Sequence, residues 1–286
     1  MVLPAIDIIE PHPHENGDSI YDADHARYLT QKLLIEEDAW VTDIEFLLHN
    51  APYTILHHLL LYSETGEDPL CPGKPLVEDY FRMGQDTKEK ATFPKPYGVF
   101  LPKGTEITLS VMLHNTFPPQ GTGETYRDVQ GELLLTTVPN GRGRTKALSF
   151  QKIVLQDAPY CKGAGNETFV VPPRAEQFVK VPSTSNPDRG RFVFPYDTYI
   201  IRAGTHLHPW DGGKTVNLFL NGELLQSYSS KKVTGGSRLW STYGAPLELL
   251  VKKGDTLELS AEYSNPNDEP IIDAMGFVVF YYIKNP

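Results

Sequence analysis

Thr205-His206-Leu207-His208 is the stretch of this sequence whose spacing speaks most directly of chemistry. In an extended strand, residues two apart share a face and stand about 6–7 Å apart along the chain. Two imidazoles so placed can both reach one metal ion at about 2 Å. A hydrogen-bonded buried pair is the other use of the same spacing. Met275 lies in Asp273-Ala274-Met275-Gly276-Phe277-Val278-Val279-Phe280-Tyr281-Tyr282, a run rich in strand-forming residues. By itself such a methionine reads as core filling. Its thioether is also a soft donor that favours reduced copper, whereas imidazole serves both copper oxidation states. Two histidines with one methionine therefore suit a copper that cycles; a third ligand for zinc is more often a carboxylate or thiolate.

A second group lies in the first half, where Tyr53-Thr54-Ile55-Leu56-His57-His58-Leu59-Leu60-Leu61-Tyr62 carries adjacent histidines in an apolar run. Neighbouring strand residues point to opposite faces, so one metal can hold both only where the strand is kinked or bulged. Later, Val111-Met112-Leu113-His114 offers two further donors on one face, and either Met112 or His114 can point at a metal. His12 and His14, in Pro11-His12-Pro13-His14, have nothing nearby to preorganise them and read as a solvated segment.

These residues need strands to position them, and strands are what the pattern predicts. Ile107, Leu109, Val111 and Leu113 alternate with Thr108, Ser110, Met112 and His114, the period of a half-buried strand. Thr256 to Tyr263 alternates in the same way. A Lys-Gly turn precedes each stretch, at Lys103-Gly104 and Lys253-Gly254, and a polar turn with Asn and Pro follows each. Such an internal echo suits two similar sandwich domains. We expect an extended N-terminal segment over 1–26, one β-sandwich over 27–158 and a second over 159–286. The linker lies between Gln156 and Asn166, where small residues replace hydrophobic ones.

Composition agrees. With 40% hydrophobic and 22% charged residues the chain can bury a core, and 24 prolines with 23 glycines suit many short strands joined by turns rather than long helices. A net charge of -10 argues against a nucleic-acid partner. The basic cluster Arg142, Arg144 and Lys146 reads as a solvated turn. No apolar run of the roughly 18 residues needed to span a membrane is present. Nor does the N-terminus carry a secretory signal pattern. That leaves a cytoplasmic protein, or an extracytoplasmic one if the chain is a trimmed mature form. Two cysteines, Cys71 and Cys161, cannot build a disulfide framework or a four-thiolate metal site, and the sequence does not decide whether they pair.

Taken in order, Leu56-His57-His58-Leu59-Leu60-Leu61, Gly204-Thr205-His206-Leu207-His208 and the Met275 strand ending Phe280-Tyr281-Tyr282 resemble the copper type II, ascorbate-dependent monooxygenases. Lys253-Gly254-Asp255 and Glu262-Tyr263-Ser264-Asn265-Pro266-Asn267-Asp268 match segments of that family between them, so the resemblance spans roughly residues 28–286. It implies two jelly-roll-like β-sandwich domains with one copper each. It further implies hydroxylation of an activated C–H bond in a small-molecule or peptide substrate, with O2 as oxidant and ascorbate as reductant. His206, His208 and Met275 would form the oxygen-handling site, and His57 and His58 two ligands of the electron-supplying site. The family's third histidine there aligns with Met112, with His114 two residues on. The peptide-amidating members' carboxylate clamp has no counterpart: Gly204 stands two residues before His206, with Arg202 four before, and Gly276 and Phe277 follow the methionine. Tyr199, Trp210 and Phe277 are candidates to line an apolar substrate pocket. A non-catalytic copper-binding protein on the same scaffold is the competing reading.

Overall fold

The computed structural model describes residues 1–8, 26–68, 72–84, 90–114, 124–139, 145–157, 168–182, 190–207, 212–233, 236–238 and 245–285. Among them the chain is all β apart from one 3-10 turn at Tyr53–Ile55. No helix among the described residues is long and apolar enough to cross a membrane. The first strands are β1 (Ile6–Ile8), β2 (Ala26–Leu34), β3 (Ala39–His49), β4 (Leu56–Glu67) and β5 (Pro75–Gly84). Then come β6 (Lys90–Thr92), β7 (Tyr97–Leu101), β8 (Glu106–His114), β9 (Tyr126–Pro139) and β10 (Lys146–Leu155). They are followed by β11 (Thr168–Val171), β12 (Ala175–Lys180), β13 (Arg191–Val193), β14 (Thr198–Leu207), β15 (Gly213–Leu220) and β16 (Glu223–Ser229). The last are β17 (Lys231–Val233), β18 (Gly236–Arg238), β19 (Ala245–Val251), β20 (Thr256–Asn265) and β21 (Ile271–Lys284).

Two compact units divide the chain. One comprises Met1–Ser63, Asp79–Leu148 and Lys232–Ser237; the other comprises Glu64–Glu78, Ser149–Lys231 and Arg238–Pro286. The division falls inside β4, β5 and β10, each of which contributes residues to both units.

In the first unit one sheet runs β1-β9-β3-β7, with β6 beside β3 and Lys146–Leu148 of β10 parallel to β7. The other runs β2-β8-β4-β5. The start of the N-terminal segment docks here: Ile6 and Ile8 pair with β9, and Leu3 and Ile8 are buried. Ile107, Leu109, Val111 and Leu113 of β8 are fully buried, as their alternation predicts. Thr108 and Met112 on the opposite face are buried too, while Ser110 between them is half-buried.

In the second unit Ser149–Leu155 of β10 begins the order β10-β21-β14-β19, with β11 beside β21. The facing sheet is β12-β20-β15-β16, with β13 beside β20. Its core joins alternate residues of both sheets, Val278 and Phe280 from β21 meeting Leu257, Leu259 and Tyr263 from β20. Each such buried side chain contributes about 1.5–3 kcal/mol of transfer free energy.

The internal echo is carried into the hydrogen bonding. Ile35 donates its N–H to Thr105 and accepts from Gly104, while Phe194 donates to Asp255 and accepts from Gly254. Three residues on, Asp38 Oδ1 accepts the Lys103 N–H at 2.8 Å and Asp197 Oδ1 accepts the Lys253 N–H at 3.0 Å. Both turns need a glycine, since Gly104 and Gly254 have φ of 82° and 92°, a region that side chains disfavour. From these knots the units run in step, β3 with β14, β4 with β15, β8 with β20 and β9 with β21. A bulge between Val41 and Asp43 matches one between Ile200 and Arg202, and a bulge between Leu56 and His58 matches one between Gly213 and Thr215.

Candidate metal centres

Strands β14 and β21 are antiparallel neighbours, with His206 opposite Phe277 and Leu207 opposite Gly276. Residues directly opposite share a face, and so do residues two apart on one strand. His206, Met275 and Phe277 therefore lie on one face, Met275 diagonal to His206 with Cβ atoms about 7–8 Å apart, the usual diagonal spacing. That is within reach of one metal by an imidazole and a flexible thioether. Leu207, Ala274 and Val278 point the other way, into the sandwich core. The His206 face carries its own small apolar cluster of Val154, Phe277 and Val279, with Phe150 and Met275 packed against it.

Two contacts hold these side chains. The His206 ring stacks on Phe277 at 4.9 Å between centroids and 25° between planes. Tyr263, fully buried on β20, uses its hydroxyl twice on one residue. It accepts the Met275 N–H at 3.1 Å and donates to the Met275 carbonyl. His206 itself is 1% exposed. His208 and Trp210 lie outside the described residues. Arg202 is half-buried, opposite Tyr281, and Tyr199 is half-buried opposite Ile283.

The bulge that the adjacent histidines require is present. Leu56 pairs with Leu113 and His58 with Met112, so His57 is the extra residue. The two rings stand 4.6 Å apart between centroids at 44°. Imidazoles ligating one metal at about 2 Å have centroids roughly 5 Å apart, so this spacing fits. His57 is buried and His58 half-buried. Met112, 3% exposed, stands directly across from His58. His114 ends β8, its backbone paired with Ala26; its side chain lies outside the described residues.

Among the described residues no three His, Cys, Asp or Glu side chains gather as a metal group. What the described strands bring together is a histidine with a methionine in one unit and two histidines with a methionine in the other, donor sets suited to copper. Cys71, Cys161, His12, His14, Arg142 and Arg144 lie outside the described residues, and Lys146 is an exposed residue at the start of β10. Sequence reasoning missed the Tyr263 clamp. Its only sequence signal is a buried-face position on the preceding strand, 12 residues before Met275, which no local pattern links to the methionine.

No protein-family model matches the chain, and no curated protein matches it. Among solved structures the chain overlaps N-glycanase F with a TM-score of 0.35 at 9% identity, over 98% of this chain and 95% of that one. It overlaps PNGF-II with a TM-score of 0.31 at 9% identity over 98% of this chain, and spans 65% of PNGF-II's length. The major capsid protein P2 from Bacteriophage PM2 gives 0.30 at 10% identity, over 99% of this chain and 97% of that one. Values this low transfer neither activity nor residue roles.

Proposed function

We propose that this chain is a copper-dependent monooxygenase that hydroxylates an activated C–H bond, using O2 and a reductant such as ascorbate. The observation that supports it is the shared face of His206 and Met275 on neighbouring strands, with the methionine's peptide held by Tyr263. His206, His208 and Met275 would hold one copper; His57 and His58, with a third ligand from β8, would hold the other. Bound copper would supply one-electron redox chemistry and the activation of dioxygen. The chain's own contribution is positional. Phe277 fixes the plane of the His206 ring, Tyr263 fixes the strand that carries the thioether, and the apolar Phe277 face favours an uncharged substrate portion. Gly276 and Phe277 in place of polar residues argue against a carboxylate-anchored peptide.

The second reading, a copper-binding protein without turnover, draws support from Met112 opposite His58, since a thioether there favours the reduced ion. The test is copper loading of the full chain, followed by ascorbate-driven O2 uptake with small aromatic and aliphatic substrates. Two coppers per chain with substrate-dependent uptake are expected, along with loss of uptake in Met275→Ala. Because outer-sphere changes alone cost about 10–100-fold in metal affinity, His206→Ala should cost at least ~100-fold at its site. Full uptake in Met275→Ala, or no bound copper, would sink the proposal.

A further inference from the structure

We infer that Met112 is the third protein ligand of the first-unit copper site, making it a two-imidazole, one-thioether centre selective for reduced copper. This rests on the copper reading above and concerns which side chain completes the site. Across β4 and β8 the bulge leaves His57 as the extra residue and sets its neighbour His58 directly opposite Met112. Opposed residues share a face with Cβ atoms about 4.5–5.5 Å apart, which puts Met112 beside His58, whose ring lies 4.6 Å from that of His57. His114 is placed differently. Among the described residues the β4 ladder ends at the Leu56 and Leu113 pair, so His114, whose backbone pairs with Ala26 of β2, is diagonal to His58 where Met112 is directly opposite.

Burial agrees with a ligand role for the sulfur. Met112 is 3% exposed on the face of β8 that its sequence neighbours Ser110 and Thr108 mark as polar. A soft, polarizable donor on an otherwise polar face beside two imidazoles is a donor set for Cu(I). The equivalent position of the second unit is Glu262, opposite Thr215 at the matching bulge, and it carries no such set. Both centres would then hold a thioether, and the first would hold its electron more tightly than an all-imidazole site.

The test reads sulfur directly. The full-length chain is loaded with copper, reduced with ascorbate, and examined by X-ray absorption at the copper edge, with Met275→Leu, Met112→Leu and the double variant beside the wild type. Met to Leu conserves volume and shape well enough to leave the fold intact. If Met112 ligates, Met275→Leu keeps about half of the Cu–S scattering, and the double variant loses all of it. Met112→His should remove the same half while keeping two coppers per chain and raising affinity for Cu(II) relative to Cu(I). Loss of all Cu–S scattering in Met275→Leu alone, with two coppers still bound, overturns the Met112 assignment and leaves the copper reading standing. A chain that binds no copper overturns both.

Discussion

The same strand bulge occurs twice in this molecule, and only one copy carries histidines. At β4 the extra residue is His57, beside His58 opposite Met112; at β15 it is Lys214, beside Thr215 opposite Glu262. In the second copy the carboxylate simply accepts the Asn217 Nδ2–H at 3.0 Å, and Lys214 is exposed. The ends of β3 and β14 show the reverse. There the second unit has His206 and Met275, while the first has Leu47 and Gln130, with an exposed His49 whose Nε2 lies 3.8 Å from Glu132. A duplicated scaffold thus offers four places where donors could converge, and the sequence fills one of each kind. Backbone geometry is common to both units; residue type decides which places hold donor sets.

Paired glycines offer the sharpest way to break this comparison. Gly131, opposite Leu48, and Gly276, opposite Leu207, are equivalent positions, and both are crowded. A Cβ at Gly276 would stand 2.9 Å from the Ala261 Cβ and 3.2 Å from Leu155 Cδ1; at Gly131 it would stand 2.7 Å from Phe46 Cζ. Overpacking of this kind costs roughly 1–3 kcal/mol, and we expect that from Gly131→Ala and Gly276→Ala alike in urea denaturation. Only Gly276→Ala, next to Met275, should also weaken Cu(I) in chelator competition. Equal loss of copper from Gly131→Ala would show that the donors do not act through their own strands.

Next in size is the clamp. Tyr263 matches Leu113 in the first unit, which has no hydroxyl to offer. Tyr263→Phe removes both hydrogen bonds to a largely buried peptide, at a cost of roughly 1–2 kcal/mol. If the clamp positions the thioether, Cu(I) affinity at that site should fall about tenfold, the low end for an outer-sphere partner, with unchanged copper at the other site. Unchanged affinity with the same stability loss would make Tyr263 purely structural.

How much of this was legible beforehand follows from the range of each interaction. The alternation in β8 and β20 and the two Lys-Gly turns are local, and they predicted an all-β, two-part build. His206 with Met275 required knowing that β14 and β21 are neighbours in register, a pairing between residues far apart in sequence. The resemblance implied only that the two residues share a site, and periodicity could not give the strand register. The bulge at His57 was stated as a condition and is met, because Leu56 and His58 take adjacent partners on β8. Met112 against His114 could not be decided from spacing, since both share a face and only the end of the β4 ladder separates them. Tyr263 was invisible because a tyrosine reaching across from the facing sheet leaves no pattern around Met275.

The smallest expected difference lies in the two turn knots, which share their backbone hydrogen bonds but differ in the residue that follows the glycine. Where the first unit has Thr105, the second has Asp255, whose carboxylate accepts the Lys252 N–H at 2.7 Å and the Asn221 Nδ2–H at 2.9 Å. These bonds, the backbone one foremost, hold the Asp255 carboxyl below its ordinary value of 3.8, against opposing desolvation and the nearby Asp197. Asp197 is lowered too, first by the Lys253 N–H and then by Lys252. A carboxylate whose pKa falls on folding adds stability that is fully present above the unfolded value and lost as pH falls through the folded one. Wild type should therefore exceed Asp255→Asn in urea midpoint at pH 6 by a small margin that shrinks below pH 3.8. Both groups face solvent, so the margin should narrow further in high salt. A margin independent of pH would mean that the side-chain shape, which Asn retains in part, matters at this turn and the charge does not.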